Sequence, residues 1–310
     1  MSSKFLKYFH SLHKKQSCEF YGFSSFENFY FYQSNPLFSF YTMPIYTVIL
    51  QKILYRILLI SGWKRKVLFF NLDYIYPKIS LHQKRTFRKK LLQNLSFDVA
   101  DFLTRNCIYS SNDKRFQIDS QSIPVLEKMK NGGLMLTAHF GNYEAIGPWL
   151  VRLGIPLTAS YAKLHPEYLN RWVYKHLRSI DNFNYSHFIN NPRDILQFLN
   201  EKKLFCLIAD QDFRKNRFIL GKLLKKPVHC NPIPQFILNH RPKLPIFICW
   251  IYPQNHKHIL FAKEIYPQNG QELFEMYHQW LEFQIQIAPE RWYGWLHRRY
   301  LSALNDESKK

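Results

Sequence analysis

Apolar positions along this chain fall into short continuous runs and into longer segments with helical spacing. The runs are too short for helices and are bounded by glycine or polar residues, which predicts buried strands. Segments in which apolar positions recur every three or four residues predict helices between them. Strands are predicted over 134–138, 155–159, 204–209, 246–251 and 258–262, and helices over about 43–60, 81–95, 97–108, 142–153, 166–178, 231–239 and 270–287. This alternation predicts an α/β fold with a mixed, mostly parallel sheet flanked by helices.

The first of these strands leads into a candidate catalytic residue. It ends at His139, and a Gly-Asn step then favours a tight turn into a helix whose first turn contains Glu144. A carboxylate on one imidazole nitrogen leaves the other free to act as a general base. The alternative is an ordinary buried histidine beside a helix acid. Because the same spacing recurs from His176 to Asp181, spacing alone does not decide between them.

The strand over 204–209 also ends in polar residues, Asp210 and Gln211. In open α/β sheets, ligands bind at the carboxyl ends of the strands. Asp210 is therefore a candidate for fixing a cation of the site or the acceptor, and a helix-capping or salt-bridged acid is the alternative.

The N-terminal part of the chain predicts a membrane-associating helix over about 43–60. Lys52 and Arg56 interrupt its apolar sequence but share one face, so a helix lying in the membrane interface costs less than one that spans it. A tilted span and an ordinary buried helix are the alternatives. The basic segment 64–66 would keep this end of the helix at the cytoplasmic side of the membrane by attraction to anionic lipid. We expect an N-terminal anchoring region over 1–62 and a catalytic domain over 63–305, and no cleaved signal peptide.

The charge balance restricts the possible partners. The chain has 43 Lys and Arg against 22 Asp and Glu, a net charge of +21, so an anionic partner is expected. An aromatic content of 17% is high for a nucleic-acid binder and favours a lipid environment. Five cysteines without Cys-x-x-Cys spacing argue against a disulfide framework or a zinc site, and no metal or other cofactor is predicted.

Four blocks in sequence order, covering about 45–300, resemble the lipid A biosynthesis acyltransferases. These are the late lauroyl and myristoyl transferases, grouped with bacterial lysophospholipid acyltransferases. The blocks are Arg65 with Asn71-Leu72 and Tyr76-Pro77, His139-Phe140-Gly141-Asn142-Tyr143-Glu144, Asp210-Gln211, and Pro289-Glu290 with Trp295-Leu296-His297-Arg298-Arg299-Tyr300. Three departures concern the acceptor and the acyl-chain length more than the chemistry. A Phe-Phe-Gly step is replaced by 223–227, a Tyr-Arg-Pro-like step by 161–163, and the last block is one residue longer.

The resemblance implies a glycerolipid acyltransferase-like fold and acyl transfer from acyl carrier protein to a hydroxyl of a phosphorylated lipid A precursor. It assigns His139 as the general base and Glu144 as the group that holds its tautomer. It also implies a location at the cytoplasmic face of the bacterial inner membrane. Direct transfer is expected, without a covalent cysteine intermediate. Backbone amides at Gly141 and Asn142, or Lys163, are candidate donors to the oxyanion.

Candidate substrate-binding residues are Lys163, Arg178, Asp210, Gln211 and Arg214. Lys163 replaces a family arginine, and Arg178 and Arg214 are candidate phosphate contacts. For Arg178 a solvated basic helix face is the alternative. A lysophospholipid or other glycolipid O-acyltransferase would have the same chemistry and a different acceptor. A non-catalytic basic protein that binds membrane surfaces is the alternative of another class.

Overall fold

The structure of the protein is a computed structural model. It describes residues 45–104, 116–160, 166–176, 178–180, 183–187, 189, 191–214, 217–254 and 257–307. The helices are α1 Ile45–Ile60, α2 Arg65–Ile75, α3 Leu81–Thr104, α4 Ile123–Met129, α5 Ile146–Arg152, α6 Glu167–His176, α7 Pro192–Asn200, α8 Ile233–His240, α9 Gly270–Ile287 and α10 Leu301–Glu307. The strands are β1 Phe116–Ile118, β2 Gly133–Thr137, β3 Leu157–Ser160, β4 Ser179–Ile180, β5 Phe183–Asn184, β6 Ser186–His187, β7 Leu204–Ile208, β8 Ile219–Leu223, β9 Lys226–Cys230, β10 Ile246–Gln254 and β11 Lys257–Ile265.

Among the described residues, seven strands form one sheet in the order β1-β11-β10-β2-β7-β3-β6. The hairpin β10–β11 is antiparallel, and every other neighbouring pair is parallel. The central strands β2 and β7 are almost completely buried, as their continuous apolar sequences predict. The predicted mixed, mostly parallel sheet flanked by helices is therefore confirmed.

Several predicted elements appear with small shifts in their bounds. The helix predicted over 142–153 begins with a 3₁₀ turn, Tyr143–Ala145, before α5. The two helices predicted over 81–108 form the single helix α3 in their described part. Helix α9 has the predicted bounds, because the Asn269 side chain caps its first turn by accepting from the Glu272 amide.

Several strands of the sheet region were not predicted: β1, the two-residue strands β4, β5 and β6, and the β8–β9 hairpin. Strand β1 is three residues long and pairs with β11, so it is too short to show a pattern. The β8–β9 hairpin was missed because its turn uses Leu224 and Lys225 at positive φ, 52° and 64°, where glycine or asparagine is expected.

The N-terminal helices pack beside this sheet domain. Helix α1 lies against α3, and the Thr47 hydroxyl donates to the Thr104 hydroxyl at 2.9 Å. A bend of 75° separates α1 from α2. Within the described ranges no single helix is long and apolar enough to cross a bilayer, although the bent pair α1–α2 passes by length and composition. The division at residue 62 and the membrane role of α1 stay predictions.

Candidate active site

The register of two neighbouring strands brings His139 and Asp210 together. Strands β2 and β7 are parallel, with Thr137 paired to Ile208. Each candidate lies two residues beyond its paired residue, so both side chains emerge at the same level of the carboxyl edge of the sheet. Nδ1 of His139 lies 2.7 Å from Oδ1 of Asp210.

Asp210 is completely buried, and its other carboxylate oxygen is also hydrogen-bonded. Oδ2 accepts from the backbone N–H of His139 at 3.0 Å and from the indole N–H of Trp292 at 2.8 Å. Burial by itself raises the pKa of Asp210, but the charge of His139 and these hydrogen bonds outweigh it and lower the pKa to about 2. The carboxyl group is therefore ionised at neutral pH, and Nδ1 of His139 carries the shared proton.

His139 is left with its second ring nitrogen directed at a neutral partner. Burial by itself lowers the pKa of this imidazole, but the charge and hydrogen bond of Asp210, with a further contribution from Glu144, raise it above its ordinary value. Because Nδ1 is protonated, Nε2 is an acceptor, and the side-chain amide nitrogen of Gln211 lies 3.2 Å from it. This arrangement can take a proton from a group that replaces the Gln211 amide.

Two aromatic rings enclose the imidazole. The centroids of Tyr143 and His297 lie 4.8 Å and 4.9 Å from that of His139. Burial, together with the charges of His139 and Lys64, outweighs the opposing charge of Asp210 and lowers the pKa of His297 to about 4. His297 is therefore neutral at physiological pH and does not compete with His139 for a proton.

A family model described as bacterial lipid A biosynthesis acyltransferase matches residues 49–302. That range covers most of the chain and contains both members of the His139–Asp210 pair. The chain belongs to the bacterial lipid A biosynthesis acyltransferase family. It is therefore an acyltransferase of lipid A biosynthesis. Comparison with curated proteins gave no match.

In this acyltransferase, Glu144 is not the carboxylate bonded to His139. It lies on the 3₁₀ turn with its side chain 35% exposed, and its Oε1 is 4.0 Å from Nη2 of Arg178. Within the described residues no hydrogen bond joins Glu144 to His139. The predicted tautomer-holding contact is corrected accordingly, because Asp210 occupies the Nδ1 side. Glu144 acts on the imidazole only through its charge.

The turn after His139 also corrects one predicted oxyanion donor, the Gly141 amide, while the Asn142 amide stays a prediction. Gly141 has a φ of 57°, and a Cβ there would lie 2.7 Å from the carbonyl oxygen of Ile251, so the position requires glycine. Its N–H donates to the carbonyl of Arg291 at 2.9 Å. This amide is therefore committed to holding the turn. Lys163, a further predicted donor, lies outside the described residues.

Of the remaining predicted binding residues in the described ranges, one contacts His139 and the other two lie beside acids away from the imidazole. Gln211 is in contact with His139, as described above. Arg178 lies beside Glu144. Arg214 is largely exposed, and its Nε is 3.5 Å from Oδ2 of Asp212, an interaction that leaves its predicted phosphate contact a prediction.

Sequence reasoning missed two residues that hold the site. The indole of Trp292 donates a hydrogen bond to Asp210. In the sequence, this residue was marked only as one of several aromatic residues near the C-terminal family block. Asn71, from the first family block, donates to the carbonyls of Trp295 and His297, both at 2.8 Å. The first and last family blocks are thus joined, and the segment carrying His297 is fixed over the imidazole.

Cysteine does not supply a nucleophile in the described part of the chain. Three free cysteines are buried there, and burial raises the pKa of each thiol, that of Cys206 to about 12. The others are Cys230 and Cys249. The described part of the chain also contains no cluster of His, Cys, Asp and Glu that could hold a metal ion.

Proposed function

We propose that this acyltransferase moves a fatty acyl chain from an acyl carrier protein thioester to a hydroxyl of a phosphorylated lipid A precursor. The observation that carries the proposal is the buried 2.7 Å contact between His139 Nδ1 and Asp210, which leaves Nε2 available as a base. In this proposal the acceptor hydroxyl replaces the Gln211 amide at Nε2.

The reaction proceeds by direct transfer. Nε2 of His139 takes the hydroxyl proton while the oxygen attacks the thioester carbonyl and forms a tetrahedral oxyanion. The oxyanion then collapses, the carbon–sulfur bond breaks, and the imidazolium returns its proton to the departing thiolate. The products are an ester and the carrier thiol, and no enzyme nucleophile is consumed. The buried thiols of the described cysteines support this route.

Asp210 and Glu144 have different roles in this scheme. Asp210 fixes the tautomer through Nδ1, and its completely buried carboxylate offsets the imidazolium charge. Glu144 adds negative charge at longer range and, together with Arg178, forms a polar rim that can bind groups of the acceptor.

The donor and the acceptor are both anionic. A net charge of +21 favours encounter with an acidic carrier protein and with a phosphorylated glycolipid, chiefly through the association rate. We place the enzyme at the cytoplasmic face of the inner membrane, with α1 in the interface. Exposed isoleucines along α1 support this location: Ile45, Ile49, Ile53, Ile57 and Ile60.

The test is acyl transfer in detergent micelles with an acyl carrier protein thioester and either a lipid A precursor or a lysophospholipid. We expect acylation of the lipid A precursor, and a loss of roughly 10²-fold or more for His139→Gln. His240→Gln, an exposed histidine remote in sequence, is the matched control and should keep full rate. Turnover of the lysophospholipid alone would replace the proposed acceptor, and an unchanged rate in His139→Gln would refute the proposed base.

A further inference from the structure

A basic cleft lies where the first three helices meet. It has a volume of about 660 Å³ and is defined by Arg65 and Phe69 of α2 and by His82, Arg85, Arg88 and Lys89 of α3. That volume falls within the usual range for small-ligand sites. None of these six residues is a hydrogen-bond or ring partner of His139, so the cleft is built from other side chains than the candidate active site.

The lining of the cleft has positive charges and no acid. The described segment 45–104 contains eleven Lys and Arg and only three Asp. One of these acids, Asp73, already forms an ion pair with Lys84 at 2.8 Å. The first turn of the 24-residue helix α3 also faces the cleft, and its partial positive charge favours an anion.

Arg88 shows that this charge is not compensated within the described residues. Its side chain is 7% exposed and donates to the carbonyls of Leu58 and Leu59, at 2.8 Å and 3.3 Å, while its buried Nε has no hydrogen-bond partner among them. Burial, and then the charge of Arg65, lowers the pKa of Arg88. Two like charges held together beside an unused donor need an anion to offset them.

The apolar surroundings of the cleft indicate where that anion comes from. The Phe69 ring lies 5.9 Å from the Arg65 guanidinium and 5.4 Å from the Lys84 ammonium, and Leu81 adds a half-exposed apolar edge. The end of α1 also borders the cleft, and Ile60 there is 85% exposed. An anionic group with an attached apolar body fits this combination better than a free ion or a nucleic acid.

We propose that the basic cleft binds the phosphate headgroup of an anionic phospholipid while the exposed face of α1 lies in the acyl region of the same leaflet. The guanidinium groups of Arg65 and Arg85 bind the phosphate oxygens, and the Nε of Arg88 completes the set. The proposal rests on the membrane location in the proposed function, and it adds a lipid site that takes no part in acyl transfer.

The test compares vesicle binding by the full chain with two variants that lose the same charge. Arg85→Gln/Lys89→Gln removes two exposed cations of the cleft, and Arg193→Gln/Lys202→Gln removes two exposed cations elsewhere. Vesicles contain phosphatidylcholine alone, with phosphatidylglycerol, or with a fatty acid of equal charge. We expect the cleft variant to lose roughly 10- to 30-fold of its preference for phosphatidylglycerol over phosphatidylcholine. The control variant should lose less than about threefold, since its cations do not line the cleft.

Each contrary outcome overturns a stated part of the proposal. Equal losses in the two variants, or equal preference for the fatty acid vesicles, would mean diffuse charge attraction and no phosphate site. Inorganic phosphate that displaces the vesicles would assign the cleft to a free ion. Loss of acyl carrier protein binding with lipid preference intact would make it a protein-docking surface.

The same measurement is independent of catalysis. Binding is recorded without donor or acceptor, and it is repeated with His139→Gln as the background. A lipid preference kept in that background supports the cleft even if the proposed chemistry fails. Conversely, the cleft variant should keep the full rate of acyl transfer in micelles while it loses its preference for phosphatidylglycerol. That result would show that the lipid site and the active site act independently.

Discussion

Asp210→Asn tests whether the partner of Nδ1 determines the tautomer of His139. In the wild-type protein, Oδ2 of Asp210 accepts from two N–H donors, the His139 backbone and the Trp292 indole. An asparagine must turn its carbonyl toward these two donors, which leaves its NH₂ group facing Nδ1. Nδ1 can then only accept, so the proton moves to Nε2 and the base is no longer available to a hydroxyl.

The expected loss is large because both the tautomer and the charge change. Replacing the carboxylate in a comparable His–acid arrangement costs roughly 10⁴-fold in rate, and we expect roughly 10²- to 10⁴-fold here. Glu144→Gln is the matched control, since it also neutralises one acid near the imidazole without touching Nδ1. Its loss should be at least about tenfold smaller, because Glu144 acts only through long-range charge.

The pH dependence of kcat/KM supplies a second readout. His139 must be unprotonated to act as a base, and its raised pKa places the acidic limb of the profile at a higher pH than an ordinary imidazole would give. Without the charge of Asp210, burial dominates and lowers that pKa, so the limb moves to lower pH while the maximum rate falls. A limb that stays in place, or a larger loss in Glu144→Gln than in Asp210→Asn, would refute this account of the site.

Three further outcomes are expected. Asn71→Ala removes the donor from one buried and one partly buried carbonyl and should lower the free energy of unfolding by about 2–4 kcal/mol, measured by urea unfolding. Gly141→Ala places a Cβ against the carbonyl of Ile251 at positive φ, so it should cost about 1–3 kcal/mol in the same assay and lower the transfer rate. Thiol alkylation of the native protein, followed by mass spectrometry, should leave three cysteines unmodified until urea is added: Cys206, Cys230 and Cys249.

The strand ends were predictable from the sequence, whereas the pairing across them was not. His139 and Asp210 each follow a continuous apolar run, and this local pattern shows where a buried strand stops. Which acid meets the imidazole depends on strand order. Strand β7 lies between β2 and β3, although β3 comes earlier in the chain. Glu144 was the nearer acid in sequence, but the Thr137–Ile208 register gives the contact to Asp210.

The hydrogen bonds from Asn71 that hold the C-terminal segment over the site could not be predicted from the sequence either, for a similar reason. Asn71 and His297 are separated by 226 residues, and a polar residue in an apolar helix gives no indication of its distant partner. Once both lie in the fold, the buried carbonyl of Trp295 and the partly buried carbonyl of His297 need donors, and the Asn71 amide supplies them. Contacts of this kind become visible only when tertiary packing is known.

Helix α2 relates the proposed lipid site to the candidate active site. Arg65 and Phe69 line the basic cleft, and Asn71 on the same helix holds the segment that carries His297 over His139. Arg65 and Asn71 are six residues apart, a rise of about 9 Å along a helix. A phospholipid bound in the cleft would therefore hold the active-site edge close to the leaflet surface. An acceptor glycolipid could then present its hydroxyl to His139 while its acyl chains stayed in the membrane.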